Sequence, residues 1–359
     1  MYRFLYTLIL LGSLAACTQP QPENSYDIVL SNGMIYDGSG GEPYQGSVAI
    51  SDQKITGIGE LGTFQADTVI DVEGKVISPG FVNMLSWAAY PLLDDGRSMS
   101  DIKQGVTLEV FGEGSSMGPL SEKMKADNER AKWTTFGEAL EYLEEKGIAP
   151  NVASFVGATT IRVHVLGYED RAPNAEELSR MQDLVRQAME EGALGLGSSL
   201  IYAPAFYAST DELTALAKVA AEYDGMYISH LRSEGDSFTE AVQELITISR
   251  EADIDAEIYH LKAAGRNNWH KLDQVLEMID SVNNAGQKVT TNMYNYVAAS
   301  TGLDATMPPW VQEGGTQAWI ERLQKPEIKA RVIKEMQSAS KEWENFLVAA
   351  GDPDNILLV

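Results

Sequence analysis

The chain has 359 residues, 44% of them apolar, which is enough for a sizeable core and for roughly two domains or one barrel with a small companion. Its 27 Lys and Arg against 52 Asp and Glu give a formal charge of -25. A field of that sign repels nucleic acid and anionic membrane surfaces, so neither is an expected partner.

Residues 1–16 read as a signal peptide, with Arg3 as the positive start and an apolar core over residues 4–11 too short to span as a mature helix. Leu14-Ala15-Ala16-Cys17 resembles a bacterial lipobox, which predicts lipidation of Cys17, the chain's only cysteine. With a single cysteine no intramolecular disulfide forms. Thr18 after the cysteine resembles the outer-membrane sorting pattern. The expected location is therefore periplasmic or outer-membrane, as an exported lipoprotein of a Gram-negative bacterium, with membrane contact only through the lipid. Residues 17–25 form a polar, proline-bearing tether.

Residues 26–80 predict a small β domain without a helix. "YDIVLSNGMIYDGSG" alternates and then breaks at Asn32-Gly33 and Asp37-Gly38, both tight-turn dipeptides, and "SVAISDQKITGIG" and "TVIDVEGKVISPG" repeat the style. From residue 81 the texture changes to short apolar runs alternating with amphipathic helices, the pattern of a parallel α/β arrangement. The runs are "GFVNMLSW", "GVTLEVFG", "NVASFVG", "ALGLGSSL", "GMYISH", "DAEIYH" and "KVTTNMY". Each fits a strand buried on both faces.

The helices between them carry clear punctuation. In one, Asn174 is the expected N-cap, with Glu177 completing it. Leu178, Met181, Leu184, Val185 and Met189 form the apolar face, and Gly192 ends the helix. Ser209, Glu212 and Gly225 repeat the arrangement. Residues 119–147 predict a charged helical insertion over the barrel edge. Residues 317–350 predict polar helices, and "DPDNILLV" reads as the start of a further strand. Seven strands of this kind predict an incomplete (β/α)8 barrel spanning residues 81–359, a chain truncated before its eighth strand.

His230 and His260 end consecutive predicted strands, positions that converge in a barrel, and two neutral imidazoles there make half of a zinc site. His270 lies off the apolar face formed by Leu272, Val275, Leu276 and Ile279 and is expected to be solvated. His164, in a loop-bound stretch, receives no role.

Here the order of motifs becomes specific. "GALGLGSSLIYAPAFYASTDELTALAKVAAEYDGMYISHLRSEGD" and "IYHLKAAGRNNW" resemble the N-acyl-D-amino-acid deacylase (D-aminoacylase) family of the amidohydrolase superfamily. "YDIVLSNGMIYDGSG", "VISPGFVN", "GVTLEVFGEG", "GYEDRAP" and "YNYVAASTGL" follow the same family in the same order. The resemblance implies a distorted TIM-like barrel with a small β-sandwich domain, and zinc-dependent hydrolysis of an N-acyl-D-amino acid to a carboxylate and a D-amino acid. It implies that His230 and His260 hold the tightly bound zinc. Lys262 corresponds to the residue that binds the substrate carboxylate, and Tyr294 and Ser300 to substrate-contacting positions.

The departures are equally specific. The family's His-x-His is Leu85-Ser86-Trp87 here, its cysteine falls on or beside Gly114, and a further histidine falls on Ala158. The catalytic aspartate of the eighth strand would lie beyond Val359. One zinc ion per chain is therefore expected, with Glu113 as its third ligand, Glu109 as the second choice, and Trp87 lining the substrate pocket. The two competing readings are a non-catalytic lipoprotein binding module on the same barrel and a related cyclic-amide or dipeptide hydrolase.

Overall fold

The structure, a computed structural model, describes residues 24–359, and the chain divides into two compact units at Gly80/Phe81. The expected signal peptide, the lipidated Cys17 and the tether up to residue 23 lie outside the described residues. Asn24 and Ser25, assigned to the tether from sequence, already belong to the first strand.

The first unit is one mixed sheet of β1 (Asn24–Ile35), β2 (Tyr44–Ser51), β3 (Lys54–Gly59), β4 (Phe64–Asp71) and β5 (Val76–Ile77). The order is β3-β2-β1-β4, with β5 also paired to β1. The β1–β2 and β2–β3 pairs are antiparallel, whereas β4 and β5 run parallel to β1. Asp37 turns the chain after β1 as expected, its carboxylate accepting from the Ser39 amide at 2.9 Å. Asn32-Gly33 is not a turn. It sits inside β1, where the register against β2 shifts between Leu30 and Gly33, and Asn32 takes φ of 59°. The dipeptide supplies a β-bulge, for which a left-handed residue serves as well as it does in a hairpin. Val29, Ile35, Val48 and Ala49 are buried, while Ile55, Val69 and Val76 are exposed. The described residues of this unit make a single layer.

The second unit is α/β. β6 (Phe81–Asn83), β7 (Val106–Phe111) and β8 (Asn151–Ser154) form one parallel sheet. β9 (Val156–Gly157), β10 (Gly195–Ser199), β11 (Met226–His230), β12 (Asp255–Ile258) and β13 (Val289–Thr291) form another, also parallel. Neighbours follow chain order throughout. These are the seven apolar runs, the third interrupted at Phe155 into β8 and β9. Parallel neighbours need long crossovers, and the helices between the strands supply them.

Helix Ala175–Glu190 begins with the expected capping box between Asn174 and Glu177, and buries Met181, Val185 and Met189. Such a cap contributes about 1 kcal/mol. Helix Thr210–Ala221 is capped by Ser209, whose hydroxyl accepts from the Glu212 amide. The Glu212 side chain does not return the bond. It turns inward, where both its oxygens accept from Arg162. Residues 119–147 contain two helices, Glu122–Ala126 and Phe136–Lys146. Leu120, Trp133, Phe136 and Leu143 of that stretch are buried, so it has its own apolar packing.

Two further expectations fail. His164 lies in helix Ala158–Leu166, not in a loop, because Ile161 and Leu166 are buried and draw a β-branched stretch into helix. "DPDNILLV" is a 3-10 turn, Pro353–Asn355, followed by irregular chain rather than a strand.

Candidate metal centre

Glu113, His230 and His260 come together, each buried and each offering one ligand atom within 4.8 Å of the others. Their positions follow from the strands that carry them. His230 is the last residue of β11, and His260 lies two residues past β12 with φ of 37°. That unusual backbone is held by the His260 amide, which donates to Asn292 Oδ1 at 2.8 Å.

Glu113 follows β7 between Gly112 (φ 107°) and Gly114 (φ 70°). A Cβ at Gly112 would lie 2.4 Å from the Phe155 carbonyl oxygen, and one at Gly114 would lie 2.7 Å from the Ser199 Cβ. No side chain fits at either, so the side chain that this turn presents between them is that of Glu113. The left-handed glycines on each side re-aim the chain.

The carboxylate of Glu113 is divided between two neighbourhoods. Its Oε1 is 2.9 Å from His230 Nδ1 and 3.3 Å from His260 Nε2, whereas Oε2 accepts from Trp87 Nε1 at 3.0 Å. The two imidazole rings meet edge to face with centroids 4.4 Å apart. His230 Nε2 is buried without a hydrogen-bond partner. Two imidazoles and one carboxylate, with one ring nitrogen left unpartnered, form a donor set that could hold a metal ion with three protein ligands.

The carboxylates and imidazoles of the centre favour one another's charged forms. Burial opposes charge on Glu113, but the hydrogen bonds from His230 and His260 outweigh it and hold the carboxyl at about 2. Burial likewise opposes charge on His260, and Glu113 and Glu234 outweigh that, raising it to about 9. Glu234 is pulled below its ordinary range despite its burial, by His230, His260 and Lys262.

The remaining sequence-derived residues divide. Lys262 Nζ donates to Glu234 Oε1 at 2.6 Å and lies 5.5 Å above the Tyr294 ring, which is itself 6.2 Å from the His260 ring. Trp87 reaches the centre through Glu113, although its side chain is largely exposed. Ser300 is exposed. Its neighbour Thr301 instead bonds Tyr202, whose ring packs on His230 with centroids 5.5 Å apart. Glu109 is not a ligand. It is fully buried and accepts from the hydroxyls of Ser86 and Ser98. His270 is exposed, as expected. Leu276, placed on its apolar face, is exposed as well.

Glu234 and Glu344 were missed from sequence. Glu234 lies four residues after His230 in "HLRSEGD", and that spacing is a signal. Glu344 is more than a hundred residues away, and its Oε2 accepts the Glu234 amide at 2.6 Å.

Comparison with known proteins places these residues in context. No family model matches the chain. The D-aminoacylase of Alcaligenes xylosoxydans xylosoxydans is 32% identical over 286 residues, covering 77% of this chain and 59% of that protein. A D-aminoacylase structure described by a binuclear metal centre, with one-metal activation and second-metal attenuation, is 31% identical with a TM-score of 0.70. It covers 76% of this chain and 59% of the other. The N-acyl-D-glutamate deacylase of Bordetella bronchiseptica, complexed with zinc and a phosphonate inhibitor that mimics the tetrahedral intermediate, is 29% identical with the same TM-score and coverage. The chain spans about three fifths of the length of each of these relatives. Over that span, the chain is similar to N-acyl-D-amino-acid deacylases, D-aminoacylase among them.

Proposed function

We propose that this protein is a zinc-dependent amidohydrolase that cleaves N-acyl-D-amino acids to a carboxylate and a D-amino acid. The observation that carries the reading is the convergence of Glu113, His230 and His260, with His230 Nε2 left orphaned. Those three residues would hold one zinc ion per chain. Bound there, zinc supplies a water of lowered pKa and polarises the scissile carbonyl.

The surrounding residues account for substrate binding. Lys262 presents an ammonium for the substrate carboxylate, and the Tyr294 ring fixes it from below. Tyr202 flanks His230, and burial raises its phenol well above the ordinary range, so it stays neutral as a hydrogen-bond donor. Trp87 and the loop carrying Ser300 line the approach. Completion of the parallel sheets into a (β/α)8 barrel, and of the first unit into a sandwich, belongs to the same reading. So does export with lipidation of Cys17, for which palmitate labelling lost in Cys17→Ala is the test. Among the described residues no helix is long and apolar enough to cross a membrane.

The protein, loaded with zinc, is expected to hydrolyse N-acetyl-D-methionine and to spare the L enantiomer. A substrate series including hydantoins and dipeptides decides the matter: turnover confined to those would end the deacylase reading.

A further inference from the structure

We propose that Asn292 is the positioning residue of this centre: its side chain holds a bulge at the end of β12 that turns His260 towards Glu113 and His230. The inference rests on the reading of those three residues as metal ligands.

The two histidines stand in different phases of their strands. Side chains alternate between the faces of a strand, so residues two apart share a face. In β11, His230 is in phase with Ile228, which is buried with Val110, Phe155 and Tyr259. Beyond β12, position 260 is in phase with Ile258, which is buried instead with Val242 and Val275 of helices Phe238–Ala252 and Leu272–Asn284. Continued as regular strand, β12 would send the side chain at 260 towards those helices and away from Glu113. One inserted residue corrects the phase. The Ala256 amide donates to the Lys288 carbonyl and the Leu261 amide to that of Asn292, so residues 256–261 on one chain answer 288–292 on the other. His260 sits at this bulge, with φ of 37°.

An extra residue leaves an amide without a ladder partner, and Asn292 supplies one. Its Oδ1 accepts from the His260 amide at 2.8 Å, and its Nδ2 donates to Glu257 Oε1 at 2.7 Å. Both ends of the side-chain amide are thereby determined, since a backbone amide only donates and a carboxylate only accepts. Glu257 Oε2 accepts in turn from the Thr290 hydroxyl at 3.0 Å. The Asn292 backbone bonds Ile258 and Leu261, one on each side of the bulge. A left-handed histidine persists only where its surroundings over-determine it, and these bonds do so.

The test is a competition titration of the metal-stripped protein with zinc and a chelator of known affinity at pH 8. Circular dichroism shows whether each variant is folded. Asn292→Ala is expected to weaken zinc binding by roughly 10- to 100-fold. X-ray absorption of the zinc-saturated proteins should count two imidazoles on the metal in wild type and one in Asn292→Ala, a difference that general loosening of the fold would not produce. Asn292→Asp keeps an acceptor for the His260 amide but sets a carboxylate against Glu257, and should also weaken binding. Adding Glu257→Gln to it exchanges donor and acceptor within the pair and should restore most of the affinity. A folded Asn292→Ala with two imidazoles and undiminished affinity overturns the proposal and leaves the metal centre standing. Equal affinities for Asn292→Asp and the exchanged pair overturn it as well, and decide the matter should the alanine variant not fold. A wild type that binds no zinc removes both.

Discussion

The indole Nε1 of Trp87 donates to Oε2 of Glu113 at 3.0 Å, while Oε1 of the same carboxylate faces His230 and His260. With one oxygen engaged by tryptophan, Glu113 has one oxygen to offer a metal. The zinc-loaded protein is expected to contain about one ion per chain by elemental analysis. Replacing Leu85→His and Trp87→His together supplies two imidazoles and frees Oε2, and should raise the content towards two. A wild type carrying two ions would refute this account of the Leu85-Ser86-Trp87 segment.

Removing the metal exposes a pH dependence. His260 is raised from an ordinary 6.5 to about 9 in the folded protein, so the folded state binds its proton more tightly than the unfolded state. Its contribution is complete below pH 6.5 and is lost as pH rises through 9. The loss is about 3 kcal/mol in the unfolding free energy of the metal-free chain. Urea titrations at pH 6 and pH 9.5 measure it, and His260→Gln should flatten the difference. A wild-type curve as flat as that of the variant contradicts the ion pairs with Glu113 and Glu234.

Glu344 titrates with the opposite consequence. Burial, and then the charge of Glu234, raise its carboxyl from 4.5 to about 7, so the unfolded chain releases this proton first. Stability falls between pH 4.5 and 7 by up to about 3 kcal/mol. Glu344→Gln keeps an acceptor for the Glu234 amide without the charge. The variant should match wild type near pH 4.5 and exceed it at pH 8, as read by denaturant midpoints. Equal midpoints at both pH values would show that Glu344 is charged at no cost.

Away from the centre, Arg162 Nη1 and Glu212 Oε2 meet at 2.6 Å with side chains only 1% and 3% exposed. Arg162 also donates to the carbonyls of Glu169 and Arg171, which fastens the loop after its helix. Arg162→Met leaves a buried carboxylate unpaired and should cost about 3–5 kcal/mol. Adding Glu212→Leu should restore much of that loss, although the two loop carbonyls remain unsatisfied. A single variant as stable as wild type would show that the pair contributes nothing.

Both histidines of the centre were legible because each closes a short apolar run, and parallel strands bring their carboxyl ends to one side of a sheet. Lys262, two positions beyond His260, was placed beside the centre for the same reason. Glu113 was placed one residue from its family counterpart, and the reason lies in the backbone. Gly112 and Gly114 take left-handed conformations with no room for a Cβ, a condition set by Phe155 and Ser199 rather than by neighbours in sequence. Ser300 was placed in the site and is exposed, whereas Thr301 beside it reaches Tyr202.

By itself, the sequence determined the alternation of seven apolar runs with capped helices, and hence a parallel α/β unit following a small β unit. Those features depend on local patterning and on caps a few residues long. Only the tertiary structure decided which carboxylates serve the histidines. Glu113 meets His230 across 117 positions, and Glu344 holds Glu234 across 110. Such pairings arise because burial leaves a charged group no partner but the one the fold brings to it.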